Sequence, residues 1–218
     1  MRENTENTLH ILIHEIKNPL TIIKGYSELI KDADEQEKKE YADIISSETD
    51  YASFLLNNIS TLNKLEENIP IVLCREELNI REITDIIINI YRKRFPNIVW
   101  INNIPENTVL FTDRSLAKII FFNIIENAAK YTGKGSVTFN ADFTDDKTVI
   151  SVTDTGCGIE TDKIPHLSEL YFRANREIPG TGIGLYLVNN ICKILDAETE
   201  IISQPQKGCK FNIFFKNN

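Results

Sequence analysis

Apolar residues in the first 66 positions recur at alternating spacings of four and three, and this repeat restricts the possible fold more than any other feature. Such spacing places apolar side chains along one face of an α-helix and is typical of coiled coils and helix bundles. The first repeat comprises Leu9, Ile13, Ile16, Leu20, Ile23 and Ile30. The second comprises Tyr41, Ile44, Tyr51, Leu55, Leu62 and Leu65. Because a charged segment at 31–36 separates the repeats, we expect two helices joined as an antiparallel hairpin.

A single hairpin can bury only one stripe on each helix, so a second copy is needed to complete a four-helix bundle. The sequence therefore predicts a homodimer built from the hairpin at residues 1–67. Residues 68–70, Asn-Ile-Pro, are predicted to link this hairpin to a second domain at 70–218.

The second domain alternates between helical and extended patterns. Helices are predicted at 80–94, 115–131 and 183–195. Strands are predicted at 71–73, 98–102, 109–112, 136–143, 148–153, 198–203 and 209–215. Because two pairs of these strands form antiparallel hairpins while helices interrupt the others, the pattern predicts an α/β sandwich of the α+β class.

Composition excludes several classes of protein. The 218 residues carry a net charge of −8, which argues against nucleic acid or an anionic membrane as the main partner. No apolar run approaches the roughly 18 residues of a membrane span, and no signal peptide is visible. The four cysteines are too scattered for a zinc site or a disulfide framework, so we expect a soluble protein of the cytoplasm.

A histidine on the first helix is a candidate nucleophile. His14 is expected to lie beside the apolar stripe and to face outward, with Glu15 adjacent and Asn18 one turn later. A neutral imidazole nitrogen is nucleophilic near pH 7, and a neighbouring carboxylate can hold the proton of the other ring nitrogen. Pro19 is expected to kink the helix without ending it, because the apolar repeat continues. The residues alone leave open an ordinary surface histidine or a metal pair with His10.

Two amides on the helix predicted at 115–131 are candidate ligands for a metal–nucleotide complex. Asn123 and Asn127 are four residues apart on one face, and Lys130 follows them. Amide oxygens can bind a Mg²⁺ ion that keeps most of its water and phosphate ligands, and a lysine can reach a phosphate. Helix capping or a polar core network would equally explain the two asparagines.

Two glycine-rich segments are candidate nucleotide contacts. The segment from Asp154 to Ile159 follows a predicted strand, where a carboxylate can accept a hydrogen bond from an exocyclic amine and glycines admit a flat base. The segment from Gly180 to Leu185 opens a helix, whose free N–H groups and dipole favour phosphate. It follows a loop rather than a strand, which excludes a Rossmann loop. Residues 160–179 are expected to form a mobile lid that carries Arg173 toward a terminal phosphate.

The order of these motifs resembles the catalytic core of bacterial sensor histidine kinases, the transmitter half of two-component systems, over nearly all 218 residues. The similar segments are the histidine box at 14–20, the asparagine box at 123–131, the glycine boxes at 154–159 and 180–185, and an aromatic box at 170–173. The chain departs from the family pattern at Ser168, where the first aromatic of the aromatic box is usual. Its lid is also short, with Pro179 in place of a common glycine.

The resemblance implies a dimerisation and phosphoacceptor hairpin followed by an ATP-binding domain of the type shared with Hsp90, gyrase and MutL proteins. It implies that His14 is phosphorylated, that Glu15 is its acid/base partner, and that Asn18 positions water for dephosphorylation of the partner protein. It also implies ATP and Mg²⁺ as cofactors, with Asn127 holding the metal and Asp154 contacting adenine. The implied ATP-binding residues are Asn123, Asn127, Lys130, Tyr131, Asp154, Gly156, Gly158, Ile159, Arg173, Gly180, Thr181, Gly182, Gly184 and Leu185.

The implied activity is autophosphorylation of His14 by ATP, followed by transfer to an aspartate in the receiver domain of a response regulator, with phosphatase activity toward that regulator. A separate sensor protein is a further partner compatible with the resemblance. Two alternatives stay open, a degenerate phosphotransfer or docking module and a clamp-type ATPase without kinase activity. The first predicts no magnesium-dependent ATP binding, and the second predicts phosphate release without a phosphoprotein.

Overall fold

The computed structural model describes the backbone of residues 2–175, 177–178 and 180–217, and the side chains of these residues from Leu12 onward. The chain divides into two compact units, with the boundary between Ile69 and Pro70. The side chains of Leu9 and His10, and the residue Pro179, lie outside the described part of the chain, so the structure does not test the predictions that involve them.

The first unit is a helical hairpin, as predicted. Helix α1 spans Arg2–Leu29 and helix α2 spans Glu35–Glu66. Asp34 caps α2, because its Oδ1 atom accepts from the N–H of Glu37 at 2.8 Å while the Glu37 carboxylate accepts from the N–H of Asp34 at 2.9 Å. Helix α1 continues through Pro19, so the proline does not end it.

The stripe of α1 that is least exposed differs in phase from the predicted one. It comprises Leu12, Ile16, Pro19, Ile23 and Tyr26, and half-buried Ile30 continues the same spacing just after the helix ends. Ile13 and Leu20, which the prediction placed on the same stripe, are 46% and 52% exposed, so that part of the prediction is wrong for the single chain. The error arises because α1 has adjacent apolar residues at 12–13, 19–20 and 22–23, so two overlapping stripes keep the same spacing.

The second unit contains a five-stranded mixed sheet and a separate two-stranded sheet. Along the first sheet the strands are β2 (Ile98–Asn102), β4 (Gly135–Phe143), β5 (Lys147–Asp154), β7 (Cys209–Lys216) and β6 (Glu198–Ser203). Only the β2–β4 pair is parallel. The second sheet pairs β1 (Arg75–Asn79) with β3 (Val109–Asp113) antiparallel. The helices are α3 (Ile80–Arg94), α4 (Arg114–Thr132) and α5 (Gly184–Ile194).

These elements confirm the predicted helices and strands of the second domain with one exception. The predicted strand at 71–73 is wrong, since the chain is irregular there and Val72 is 83% exposed. The strand begins instead at Arg75, in the charged sequence Arg-Glu-Glu-Leu-Asn, where only Leu78 is buried. Leu78 pairs with Leu110 of β3, and the other four positions of β1 are polar and half-buried or exposed. Strand β1 therefore has almost no hydrophobic pattern.

Helix α4 forms the centre of the second unit. It packs against α3 and α5 and against strands β4 and β5. Its apolar middle at 119–122 is buried, as are Phe139 of β4 and Ile150 of β5. This packing brings the C-terminal half of α4 beside the end of β5 and the start of α5, which carry the motifs singled out above. No helix in the described part of the chain is long and apolar enough to cross a membrane.

Candidate active site

Asp154 ends strand β5 as a buried carboxylate, only 7% exposed. Its Oδ1 atom accepts a hydrogen bond from the N–H of Gly156 at 2.8 Å, and the N–H of Cys209 also donates to the carboxylate. Burial raises the pKa of Asp154 above its usual value, and these two N–H groups oppose the rise. The side chain is therefore held in one orientation, with acceptor capacity left for a further donor.

The loop after Asp154 lies directly against the end of α4. The N–H of Cys157 donates to the carbonyl oxygen of Tyr131 at 3.2 Å. A β-carbon at Gly156 would collide with the same carbonyl, so only glycine allows this approach. Burial raises the pKa of the Tyr131 phenol, while the positive charges of Arg173 and Lys130 lower it.

Helix α4 presents a polar face toward the start of α5. Asn123 is buried, and its Nδ2 atom donates to the carbonyl of Ile119 at 2.8 Å. A β-carbon at Gly184, the first residue of α5, would lie 2.6 Å from the Asn123 Oδ1 atom. Asn127 lies half-buried one turn after Asn123.

Lys130 belongs to the same helix and is paired with a carboxylate that the sequence analysis did not single out. Its Nζ atom lies 3.1 Å from the Glu126 Oε1 atom, and both side chains are largely buried. The signal that could have identified Glu126 is its i, i+4 spacing to Lys130, which is common on ordinary helix surfaces.

The segment from Gly180 to Leu185 ends in an uncapped helix N-terminus. Helix α5 begins at Gly184 without a side-chain cap, although the hydroxyl of Thr181 accepts from the N–H of Ile183 at 3.3 Å. Gly182 has a φ of +70°, and its carbonyl accepts from the N–H of Tyr171 at 3.0 Å. The free N–H groups of the first turn, together with the helix dipole, suit an anion such as phosphate.

The residues between the two glycine-rich segments form a 3₁₀-helix at Thr161–His166 followed by turns and irregular chain. Arg173 donates from Nη2 to the carbonyl of Ile178 within this segment. A β-carbon at Gly180 would meet no atom within 4 Å, so the chain there is loosely packed on the side where that carbon would point. Arg173 therefore contacts its own segment, and its charge lowers the pKa of the Tyr131 phenol.

The second unit thus brings most of the predicted ATP-binding residues into one region, and the first unit carries the histidine face separately. His14 and Asn18 are exposed on α1 and Glu15 is half-buried. They lie within about one turn of helix, as their spacing predicts. Among the described residues no group of three or more His, Cys, Asp or Glu side chains is arranged to hold a metal ion.

Comparison with known families matches both units. Residues 6–68 match the His Kinase A (phospho-acceptor) domain. Residues 112–218 match the histidine kinase-, DNA gyrase B- and HSP90-like ATPase. The nucleotide-site residues described above lie within the second match, and His14 lies within the first.

Curated relatives are kinases that are longer than this chain. The autoinducer 2 sensor kinase/phosphatase LuxQ of Vibrio parahaemolyticus is 30% identical over 213 residues, covering 91% of this chain and 25% of LuxQ. Sporulation kinase C of Bacillus subtilis is 30% identical over 207 residues, covering 93% of this chain and 46% of that kinase. The chain therefore spans a quarter to a half of the length of these relatives.

Solved structures show the same fold at lower identity. The histidine kinase AdeS of Acinetobacter baumannii has a TM-score of 0.63 at 22% identity and covers 94% of this chain, with 98% of its own chain matched. Full-length ShkA in complex with AMPPNP has a TM-score of 0.64 at 21% identity, covering 96% of this chain and 45% of ShkA. Since both domain families match in the order found in such kinases, the chain belongs to the sensor histidine kinases of two-component systems and comprises their phosphoacceptor and ATPase domains.

Proposed function

We propose that this chain transfers the γ-phosphoryl group of ATP to a ring nitrogen of His14. The observation that carries the proposal is the convergence, within one unit, of a buried oriented carboxylate, the polar face of α4 and the uncapped start of α5. The first supplies an acceptor for an amine, and the last supplies donors for phosphate. This arrangement is suited to a nucleotide, and His14 is an exposed acceptor on a continuous helix.

Within the nucleotide site, each element has a distinct proposed role. Asp154 accepts a hydrogen bond from the exocyclic amine of adenine, while Gly156, Gly158 and Ile159 form the backbone wall beside the base. Tyr131 lines the pocket, and the phosphates are contacted by the remaining residues proposed for ATP binding. These are Asn123, Lys130, Arg173, Gly180, Thr181, Gly182, Gly184 and Leu185.

Asn127 is the proposed protein ligand for Mg²⁺. Its amide is half-buried on the polar face of α4, and an amide oxygen is a ligand that hard cations accept. Mg²⁺ bound to nucleotides usually takes few protein ligands and keeps waters and phosphate oxygens, which agrees with the lack of a carboxylate or histidine cluster in the described residues. When bound, the ion would neutralise charge on the phosphates.

Phosphoryl transfer depends mainly on positioning and charge stabilisation. A bond forms between the His14 ring nitrogen and the γ-phosphorus, the bond from that phosphorus to the bridging oxygen breaks, and ADP leaves. Positive charge develops on the imidazole, and we propose that the Glu15 carboxylate stabilises it and accepts the proton of the other ring nitrogen.

The partners are proposed from the histidine face and from the relatives. Phosphohistidine would pass its phosphoryl group to an aspartate in the receiver domain of a response regulator. In a separate phosphatase reaction, Asn18 would position a water molecule that hydrolyses the aspartyl phosphate and releases inorganic phosphate. LuxQ carries both activities in its name, which supports the phosphatase part. The exposed Ile13 and Leu20 give α1 an apolar face for a second hairpin, which supports a homodimer. Because ATP is the phosphoryl donor, we propose a cytoplasmic location, with a signal from a separate sensor protein.

Incubation with γ-labelled ATP and Mg²⁺ tests the proposed activity. We expect a label on the protein that is lost in acid and stable in alkali, as a phosphoramidate requires, and that does not form when EDTA removes Mg²⁺. Release of free phosphate without labelled protein would favour the clamp-type ATPase. Absence of any magnesium-dependent ATP binding would favour a degenerate docking module.

Asp154→Asn is expected to raise the Kd for ADP about 10- to 100-fold, because a hydrogen bond to a charged acceptor is replaced by a neutral amide whose NH₂ group faces the adenine amine. Because the pKa of Asp154 is raised above 3.8, the carboxyl becomes protonated at a higher pH than usual when the pH is lowered. The affinity of the wild-type protein for ADP should therefore begin to fall above pH 3.8. The variant should lack this dependence. Calorimetry measures both effects. The matched control is Asp142→Asn, because Asp142 is exposed on the neighbouring strand β4, toward the opposite end of the sheet from Asp154. Equal affinities of the two variants would contradict the role of Asp154.

A further inference from the structure

The turn between β6 and β7, residues 203–208, packs backbone against backbone on the loop that follows Asp154. The N–H of Gln206 donates to the carbonyl of Cys157 at 2.6 Å. This turn, called the β6–β7 turn below, belongs to no motif that the sequence analysis singled out. Cys157 also donates its N–H to the carbonyl of Tyr131 of α4, so the glycine-rich loop after Asp154 contacts both the β6–β7 turn and α4.

Ser203 links the two segments through its hydroxyl group. The Oγ atom accepts from the N–H of Ile159 at 2.9 Å and donates to the carbonyl of Gly208 at 2.7 Å. The Ser203 side chain thus joins Ile159, the last residue of the glycine-rich loop after Asp154, to Gly208, the last residue of the β6–β7 turn. Its removal would leave a partly buried N–H and a partly buried carbonyl without this partner.

Two glycines make the packing possible. Gly158 has a φ of +67°, and a β-carbon there would collide with the carbonyl of Gln204. Gly208 has a φ of +76°, and a β-carbon there would collide with the carbonyl of Asp154. Both positions therefore require glycine for the conformation and for the space, and the second contact reaches Asp154 itself.

The β6–β7 turn also sets the position of a direct donor to the Asp154 carboxylate. Cys209 immediately follows Gly208, is the register partner of Asp154 across β5 and β7, and donates its N–H to that carboxylate. Of the two backbone donors that orient Asp154, one comes from the glycine-rich loop and the other from the residue after the turn. A shift of the turn would therefore move a donor of the carboxylate as well as the loop.

We propose that Ser203 and Gly208 are positioning residues for adenine recognition. Through the β6–β7 turn they fix the Asp154 carboxylate and the glycine-rich loop that follows it. The inference rests on the proposed function, because it assumes that Asp154 contacts adenine. The residues themselves need not touch the nucleotide. Their effect is on affinity for adenine nucleotides and on selectivity for the base, while the transfer step at saturating ATP depends on His14 and Glu15.

Ser203→Ala tests the proposal. We expect the Kd for ADP and the KM for ATP to rise about tenfold, because a partly buried N–H and carbonyl lose their partner, while kcat for autophosphorylation changes less than about twofold. The preference for ADP over GDP should fall, because a mobile carboxylate discriminates less between an amine and a carbonyl. Ser203→Thr keeps the hydroxyl and should restore most of the affinity.

The matched control is Thr144→Ala in the turn between β4 and β5, at the opposite end of the same sheet. The Thr144 hydroxyl also accepts from an N–H and donates to a carbonyl, both of Lys147 at 3.0 Å. Its loss should lower the melting temperature without changing the Kd for ADP.

The outcomes separate this inference from the proposed function. If wild-type protein binds ADP, Asp154→Asn weakens binding, and Ser203→Ala binds like wild type, the inference is overturned while the proposed function stands. The inference is also overturned if Thr144→Ala and Ser203→Ala lower affinity equally, because the loss then reflects stability alone. If wild-type protein does not bind ADP, the proposed function itself fails.

Discussion

Replacing His14 with glutamine is expected to abolish ATP-dependent phosphorylation of the chain while leaving nucleotide binding unchanged. Glutamine has no ring nitrogen with a lone pair suited to attack phosphorus, and its amide nitrogen is a very poor nucleophile. His14 is exposed on a helix in the first unit, so the substitution does not alter the core of the ATPase unit. The loss should therefore be complete in label incorporation and absent in the Kd for ADP.

His10→Gln is the matched control for this variant. The substitution is the same, on the same helix, one turn before His14. We expect the control to incorporate label at the wild-type rate. A histidine pair that bound a metal ion, the alternative left open by the sequence, would instead make the two variants equally inactive.

Glu15→Gln is expected to slow autophosphorylation about 10²- to 10⁴-fold, the range typical for loss of a general acid–base group. Glutamine is nearly the same size and has a similar helix propensity, so α1 should remain intact. It can neither accept the imidazole proton nor offset the positive charge that develops when the nitrogen–phosphorus bond forms. The initial rate of label incorporation at saturating ATP measures the effect, and the Kd for ADP should not change.

Glu28→Gln controls for loss of negative charge on the same helix. Glu28 is exposed and lies 13 residues beyond Glu15, about 20 Å along the helix axis. The Glu28→Gln variant should autophosphorylate at the wild-type rate. A Glu15→Gln rate within about threefold of wild type would exclude the acid/base role, since that role predicts at least about a hundredfold loss.

Local sequence signals predicted most elements of the fold. Helix α3 was predicted with its observed bounds from the helical pattern of its residues, and in the structure Asn79 caps it. The strands at 198–203 and 209–215 were predicted as an antiparallel pair, and the register of β6 with β7 confirms it. Both patterns are local in the sequence, so no knowledge of tertiary contacts was needed.

Features that depend on tertiary contacts were not predictable. Strand β1 is charged and has one buried residue, Leu78, so it exists because β3 pairs with it. The stripe of α1 was predicted with Ile13 and Leu20, since two overlapping repeats share one spacing. The contact of Gly184 with Asn123 joins segments about 60 residues apart, and no local pattern specifies it.

The support of Asp154 by the β6–β7 turn is of the same kind. A serine followed five residues later by a glycine is too common to be a signal on its own. Only the register of β5 with β7 shows that this turn reaches the glycine-rich loop. The residues that hold Asp154 in place are therefore less apparent from the sequence than the motif that contains Asp154.

Mapping the phosphoryl group on wild-type protein tests the central claim most directly. After incubation with ATP and Mg²⁺, trypsin should yield a peptide at 3–17, containing His10 and His14, and one at 164–173, containing His166. Mass spectrometry with fragmentation under neutral or alkaline conditions separates the three positions. We predict phosphate on His14 alone. Phosphate on His10 or His166, or ADP formation with no phosphohistidine in either peptide, would contradict the assignment of this chain as a kinase that phosphorylates His14.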